Sequence, residues 1–381
     1  MRRHLLTPGP VELSHDVILA GAKQLIGHRT AEFSDLLKNL EVKLAKLLKS
    51  EGPVVILPSS GTGALECLIF NFLDKGDKFL SVSCGNFGSR FRKIGEQVGA
   101  EAVCLDISLG SSPDPDVVVD FVKQNPECKV LLLTQNETST GVLVPIKEII
   151  YALPKENRPI ILVDGVSSVG AMECYPEEWG VDGLATASQK GLLTPPGLGL
   201  VWLSKKAWDF IEKRKCISHY FDLKLHKKRL ISDIPDNPYT PPVSLFYALD
   251  EALDFILNND KEKWFKSRIQ YARAFAAGIE ALGLELLVPN SNYRSPGLTA
   301  FSSKTLDSEK IRKYLKEIGI ETAGGLGSLK GNLIRVAHYN DCNWPELSMI
   351  LGSLYAALVA LGEKPNSDFI TKALNEWNKE K

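Results

Sequence analysis

The stretch PIILVDG, residues 159–165, is a short apolar run that ends in a carboxylate and a glycine. Its length and its bounding residues are typical of a buried β-strand. Similar apolar runs precede it, and segments with helical periodicity separate them. Strands are predicted at 54–57, 78–82, 102–105, 130–134 and 159–163, and helices at 34–49, 64–72, 88–98, 115–125 and 145–153. This alternation predicts an α/β fold with a mostly parallel sheet and helices on both faces.

The texture of the sequence changes after about residue 247. A long helical stretch at 247–282 is followed by short strands at 284–288, 299–301 and 333–336 and by helices at 308–318 and 345–361. This pattern predicts a small α+β domain. We divide the chain into an N-terminal arm at 1–20, a large domain at 21–250 and a small C-terminal domain at 251–381. The charged stretch 213–229 is interpreted as a solvated surface, because its like charges are not organised on one face.

Composition excludes several classes of protein. Hydrophobic residues make up 44% and charged residues 24% of the 381 residues, as in an ordinary globular protein. The net charge of −1 gives no general attraction to nucleic acid or to anionic membranes. The seven cysteines form no CxxC pair, which argues against a disulfide framework and against a metal site. With no signal-peptide core and no membrane-length apolar run, we predict a cytoplasmic enzyme without nucleic-acid or membrane partners.

Two residues near the middle of the chain carry candidate chemistry. Lys190 lies between an apolar approach and the Pro/Gly-rich turn TPPGLG at 194–199. An amine held in a desolvated loop loses basicity and becomes a nucleophile, although a lysine in a surface turn is the commoner case. Asp164 ends the strand at 159–163, where an open α/β sheet binds its ligands. A plain capping turn is the alternative for Asp164.

Further polar loops follow other predicted strands. The small residues at 59–64, SSGTGA, lead from a strand into a helix, and such a helix N-terminus can hold a phosphate. Phe87 in GNFG at 85–88 can stack on a flat cofactor or belong to the core, and QNETSTG at 135–141 is a polar loop. Arg335 lies inside an apolar strand after GGLG at 324–327. A buried arginine needs a carboxylate, from a substrate or from an internal salt bridge.

Together these motifs resemble a class V aminotransferase of fold-type I, of the alanine–glyoxylate and serine–pyruvate kind. The resemblance spans nearly the whole chain and includes the 26 residues between Asp164 and Lys190. It rests on TPGP, GHRTAEF, SSGTGALE, NETSTG, VDGVSS, SQKGLLTPPGLG, TPPVSLFYAL and GGLG…IRVAH. The fold it implies has a large domain built on a mostly parallel seven-stranded sheet and a small C-terminal α+β domain.

The resemblance also implies a cofactor, pyridoxal 5'-phosphate (PLP), and a role for each site residue. Lys190 would form the Schiff base and shuttle the proton, and Asp164 would bind the pyridine nitrogen. The remaining roles are phosphate binding by Ser60, Gly61, Thr62 and Gln189, ring stacking by Phe87, a bond to the ring hydroxyl from Thr138, a further cofactor contact from Val166, α-carboxylate binding by Arg335, and a pocket contact from Gly9. Relatives often carry tryptophan or another aromatic residue where this chain has Phe87.

In the resemblance, Thr240 and Tyr239 reach the phosphate of a neighbouring subunit, which implies a homodimer with shared sites. The implied reaction is transamination between alanine or serine and glyoxylate or pyruvate. Alternatives on the same scaffold are transamination of 2-aminoethylphosphonate or aspartate, and a PLP-binding protein without turnover. Cysteine desulfuration needs a mobile catalytic cysteine in a late loop, and Cys342 beside Trp344 is no good match for one.

Overall fold

The computed structural model describes residues 3–380, so Met1, Arg2 and Lys381 of the predicted domains lie outside the described residues. The strands are β1 His4–Leu5, β2 Val54–Pro58, β3 Lys78–Ser83, β4 Glu101–Asp106, β5 Val130–Thr134, β6 Asn136–Glu137, β7 Val142–Leu143, β8 Ile160–Asp164, β9 Gly183–Ala187, β10 Leu198–Leu203, β11 Glu285–Leu286, β12 Leu298–Ser302, β13 Ile320–Glu321, β14 Ala323–Gly324 and β15 Ile334–Ala337.

The helices alternate with these strands along most of the chain. They are α1 His15–Gly21, α2 Ala31–Leu48, α3 Gly61–Phe72, α4 Asn86–Gln97, α5 Pro115–Lys123, α6 Ile146–Ala152, α7 Pro176–Trp179, α8 Lys205–Glu212, α9 Leu223–Leu230, α10 Val243–Asn258, α11 Lys261–Ala281, α12 Ser308–Glu317, α13 Trp344–Ala360 and α14 Phe369–Trp377.

A seven-stranded sheet in the order β2-β10-β9-β8-β5-β3-β4 forms the centre of the large domain. Strand β10 runs antiparallel to the other six strands, which share one direction, so the predicted mostly parallel sheet is confirmed. The chain proceeds outward from β3 to β4 on one side and from β5 through β8 to β9 on the other. Such a switch in strand order opens a crevice at the carboxyl ends of the strands, where open α/β sheets bind ligands.

The small domain has its own four-stranded sheet in the order β11-β12-β15-β14 and a separate apolar core. The N-terminal arm joins this domain, because β1 pairs in parallel with β13 and Leu6 is buried in the small core. The arm turns into α1 at Ser14, whose hydroxyl accepts the N–H of Val17 at 3.3 Å.

One expectation about helices differs from the structure. The single helix expected at 247–282 is two helices, since Asp260 has a φ of +56° and its carboxylate caps the second by accepting the Glu262 N–H. The first of these two helices, α10, spans residue 250 and packs into the apolar core of the large domain. The domain boundary at 250/251 stays a prediction. The charged stretch 213–229 includes most of α9, which buries Leu223 and His226.

No helix among residues 3–380 combines the length and the apolar character that crossing a membrane requires. Within the same range, no group of three or more His, Cys, Asp or Glu side chains is arranged to hold a metal ion.

Candidate active site

A cavity of about 890 Å³ lies where the carboxyl ends of the large sheet meet the small domain. Its walls come from the loops after β2, β3, β5, β8 and β9, from the arm, and from the strands around Arg335. All of the predicted site residues line it except Tyr239 and Thr240. Those that do are Gly9, Ser60, Gly61, Thr62, Phe87, Thr138, Asp164, Val166, Gln189, Lys190 and Arg335.

Lys190 lies in the turn that connects β9 to β10. Ser188 shapes this turn, since its hydroxyl donates to the Pro195 carbonyl at 2.7 Å and accepts the Leu198 N–H at 3.2 Å. The lysine is only 8% exposed, so the alternative of a surface lysine is wrong. Burial lowers the pKa of Lys190 from 10.5 to about 8, and the nearby Asp164 carboxylate opposes that shift.

Asp164 is the last residue of β8 and is also buried. Its Oδ1 accepts the N–H of Val166 at 2.9 Å, which is the capping turn that the sequence allowed. Its Oδ2 accepts no hydrogen bond from residues 3–380 and remains available to a ligand. Burial raises the pKa of Asp164 from 3.8 to about 6, against the lowering effects of the Val166 N–H and Lys190.

The loop after β2 leads into α3, and its first residue caps that helix. The Ser60 hydroxyl accepts the N–H of Gly63 at 3.2 Å, which leaves the first backbone N–H groups of α3 facing the cavity. A side chain at Gly61 would place its Cβ 2.7 Å from Val166 Cγ1, so the loop and the Asp164 turn approach closely. The Gln189 Oε1 is buried without a partner among the described residues. Because this orphaned atom is an acceptor, it fits a ligand or water that donates to it, whereas a phosphate would use the amide NH₂ of Gln189.

Phe87 and Lys190 lie on the same side of the cavity. The Lys190 Nζ is 5.2 Å from the centroid of the Phe87 ring, and the Arg90 guanidinium is 5.0 Å from that centroid. Arg90 also lines the cavity, and its charge lowers the pKa values of both Lys190 and Asp164. The sequence reasoning missed Arg90, although it follows Phe87 by three residues on α4 and so shares a helix face with it.

Arg335 reaches the cavity from β15 in the small domain. Its Nε donates to the Gly324 carbonyl at 2.8 Å, and its Nη1 donates to the Thr138 carbonyl at 2.7 Å. Among residues 3–380 no carboxylate lies within salt-bridge distance, so the internal salt bridge is ruled out there. The Nη2 has no protein partner in that range and can donate to a ligand. Burial lowers the pKa of Arg335 to about 10.

Gly9 places the arm directly against the lysine turn. A Cβ at this position would lie 2.9 Å from Lys190 Cγ and 3.1 Å from the Gln189 carbonyl oxygen. Its φ of +102° is also one that residues with a side chain rarely adopt.

Tyr239 and Thr240 lie outside this cavity. The Tyr239 ring stacks on Tyr220 at 4.9 Å between centroids, and its hydroxyl donates to the His219 carbonyl. Thr240 is exposed. Their expected contact is with a second subunit, so it stays a prediction.

The family model for aminotransferase class-V matches residues 17–340. The chain belongs to the class-V aminotransferases. This class-V chain is 31% identical to a serine–glyoxylate aminotransferase of Methylorubrum extorquens over 94% of its length and 91% of that protein. It is 34% identical to a chain named as the 42 kDa subunit of a soluble hydrogenase of Anabaena cylindrica, covering 94% of both. The crystal structure of the ureidoglycine–glyoxylate aminotransferase of Bacillus subtilis superposes with a TM-score of 0.93 and 25% identity, covering 100% of this chain and 99% of that one.

Proposed function

We propose that this class-V aminotransferase uses PLP to transfer an amino group between a small amino acid, alanine or serine, and a 2-oxo acid, glyoxylate or pyruvate. One observation carries the proposal. A buried lysine of lowered pKa and a buried aspartate of raised pKa share a cavity with an arginine that has a free guanidinium nitrogen. Two of the similar proteins are named for transfer to glyoxylate, which supports that acceptor.

The residues of the cavity fit PLP in chemistry and position. Ser60, Gly61, Thr62 and Gln189 offer donors to a phosphate at the N-terminus of α3. Asp164 would place its open Oδ2 against the pyridine nitrogen, with the Phe87 ring, Val166 and Thr138 as further contacts, the last to the ring hydroxyl. When bound, the cofactor supplies an electron sink for negative charge at the α-carbon of the substrate.

Lys190 carries the proton transfer in this proposal. A pKa of about 8 leaves a substantial fraction of its Nζ neutral near pH 7.5, whereas an ordinary lysine would be almost fully protonated. The neutral Nζ would hold the cofactor through its carbonyl carbon and, when free, would accept the proton from the substrate's α-carbon. Burial excludes water from the same position, which keeps the proton available for return.

Arg335 orients the substrate. Its Nε and Nη1 are fixed by two carbonyls, and Nη2 can donate to an α-carboxylate. Holding the carboxylate there directs the α C–H toward Lys190, which is the gain expected from orientation. Gly9 has no side chain and so leaves room for Lys190, with which the Cβ of any other residue would collide.

We further propose a cytoplasmic homodimer in which Tyr239 and Thr240 of each chain complete the partner's phosphate site. Their position outside the cavity of their own chain is compatible with that role. The cytoplasmic assignment rests on seven cysteines, all of them free.

A matrix of amino donors against 2-oxo acceptors with the purified protein tests the reaction. We expect alanine or serine with glyoxylate or pyruvate to give the highest kcat/KM, and each donor alone to convert bound pyridoxal to pyridoxamine. Lys190→Ala should abolish turnover and the borohydride-sensitive absorbance band, while the exposed Lys205→Ala should retain both. Absence of any half-reaction would refute the transaminase assignment. A preference for aspartate or 2-aminoethylphosphonate would refute only the choice of substrate.

A further inference from the structure

The N-terminus of α4 is capped by side chains that are distant in sequence. Gly85 precedes this helix and has no side chain to accept its first N–H groups. The N–H of Asn86 instead donates to the Ser139 hydroxyl at 2.9 Å, and the N–H groups of Phe87 and Gly88 each donate to Glu137 Oε2 at 3.0 Å. The loop after β5 thereby provides the cap for the helix that carries Phe87.

Glu137 is fully buried, and its two oxygens act as acceptors toward both elements. While Oε2 binds α4, Oε1 accepts the backbone N–H of Ser139 at 3.0 Å and the hydroxyl of the same residue. The approach is close enough that a Cβ on Gly85 would lie 2.5 Å from Glu137 Cγ and Cδ. A glycine at 85 is therefore required for the carboxylate to reach the helix.

The same loop also holds the side chain of Arg335 in place through a hydrogen bond. Thr138 follows Glu137 directly, and its carbonyl accepts the Arg335 Nη1 hydrogen bond at 2.7 Å. Glu137 is in addition the largest attractive charge acting on Arg335. One buried carboxylate thus fixes the loop that orients this arginine and the helix that carries Phe87.

We infer that Glu137 is a positioning residue that couples cofactor stacking to substrate-carboxylate binding. The inference rests on the proposed function, in which Phe87 stacks on the cofactor and Arg335 binds the carboxylate. By occupying the N-terminus of α4, Glu137 also leaves the N-terminus of α3 as the phosphate site on this side of the cavity. Glu137 touches neither the cofactor nor the substrate in this assignment and acts through Phe87 and Thr138.

Glu137→Gln tests the inference with little change in shape. An amide has one acceptor oxygen, so either the N–H groups of Phe87 and Gly88 or the N–H of Ser139 must face an NH₂ donor. We expect PLP to bind the cofactor-free variant about tenfold to a hundredfold more weakly. We also expect the circular dichroism of the bound cofactor to change, and the KM for the 2-oxo acid to rise more than kcat falls.

Two further variants keep the test decisive. Glu96→Gln removes an exposed carboxylate at the other end of α4 and should match the wild type in all three measurements. Ser139→Ala retains the Glu137 carboxylate and should shift them in the same direction by a few-fold, even if Glu137→Gln does not fold. A folded Glu137→Gln variant with lower thermal stability but wild-type PLP affinity, dichroism and KM would overturn the inference. Wild-type PLP affinity, dichroism and KM in Ser139→Ala would also overturn the inference. If the wild type itself fails to bind PLP or to transaminate, the proposed function fails instead.

Discussion

Replacing Asp164 by asparagine should stabilise the cofactor-free protein while it abolishes transamination. Burial raises the pKa of Asp164 from 3.8 to about 6. Since one pKa unit corresponds to about 1.4 kcal/mol, the ionised carboxylate costs the folded protein about 3 kcal/mol at pH 8. Asparagine has nearly the same shape and can still accept the Val166 N–H, but it carries no charge. The free energy of unfolding should therefore rise by about that amount.

The gain should depend on pH in a defined way. Because the folded pKa of Asp164 is raised, its contribution to stability is fully present below pH 3.8 and is lost as the pH rises through about 6. The advantage of asparagine should thus be about 3 kcal/mol at pH 8 and about half of that at pH 5. Urea denaturation of the cofactor-free wild type and Asp164→Asn at both pH values measures the difference.

Asp182→Asn is the matched control for this prediction. Asp182 is also buried, but both of its oxygens are satisfied, by the Ile161 N–H at 2.9 Å, the Ser204 hydroxyl at 3.2 Å and Lys206 at 3.2 Å. An amide there would turn a donor toward a donor and weaken the bond to Lys206, so this variant should lose stability at both pH values. The reasoning is refuted if Asp164→Asn is also destabilising at pH 8, or if its effect is the same at pH 5 and pH 8.

Three further perturbations test other parts of the site. The rate of PLP incorporation into the cofactor-free protein should follow the neutral amine of Lys190, with a midpoint near pH 8. Arg90→Gln should raise that midpoint, because the Arg90 charge lowers the lysine pKa. A wild-type midpoint near pH 10 would contradict this prediction. Arg335→Lys should raise the KM for the 2-oxo acid about tenfold to a hundredfold through loss of a charge-assisted hydrogen bond, and an unchanged KM in steady-state kinetics would exclude Arg335 from carboxylate binding. Gly9→Ala should lower kcat because its Cβ would meet Lys190, whereas Gly52→Ala, at a φ of +82° with no atom within 4 Å, should leave kcat unchanged; equal kcat values would argue against contact between arm and lysine.

Sequence predicted the parallel part of the sheet well, because buried parallel strands are continuous apolar runs. The run at 130–134 coincides with β5, and that at 159–163 is one residue from β8. The strands on either side of Lys190 were not predicted. The small residues of β9, Gly183–Ala187, give little apolar signal, whereas β10, Leu198–Leu203, is apolar but begins inside the Pro/Gly-rich turn at 194–199. The expected single helix at 247–282 failed at Asp260, whose positive φ no periodicity reveals.

At the site, too, residues that lie at the end of a local pattern were predicted, and contacts between distant residues were not. Asp164 and Lys190 could be predicted because each lies at the end of a local pattern, a strand in one case and a glycine-rich turn in the other. Glu137 could not, because its partners at Phe87 and Gly88 are 50 and 49 residues away and belong to a different strand–helix unit. Arg335 was predicted from its apolar strand. Of its true partners, the Gly324 carbonyl lies on the neighbouring strand β14, and only the contact with the Thr138 carbonyl depends on how the two domains meet.

Burial acts on three charged groups of the cavity in the direction that disfavours each charge. It raises the pKa of Asp164 and lowers the pKa values of Lys190 and Arg335. The folded, cofactor-free site therefore holds charges whose desolvation their neighbours do not fully offset. A pyridine nitrogen facing Asp164 and a carboxylate facing Arg335 would each provide the missing counter-charge. These counter-charges would offset the cost of desolvating the site, and binding should be favoured for that reason. The same desolvation makes Lys190 nucleophilic, so cofactor affinity and lysine reactivity share one physical origin.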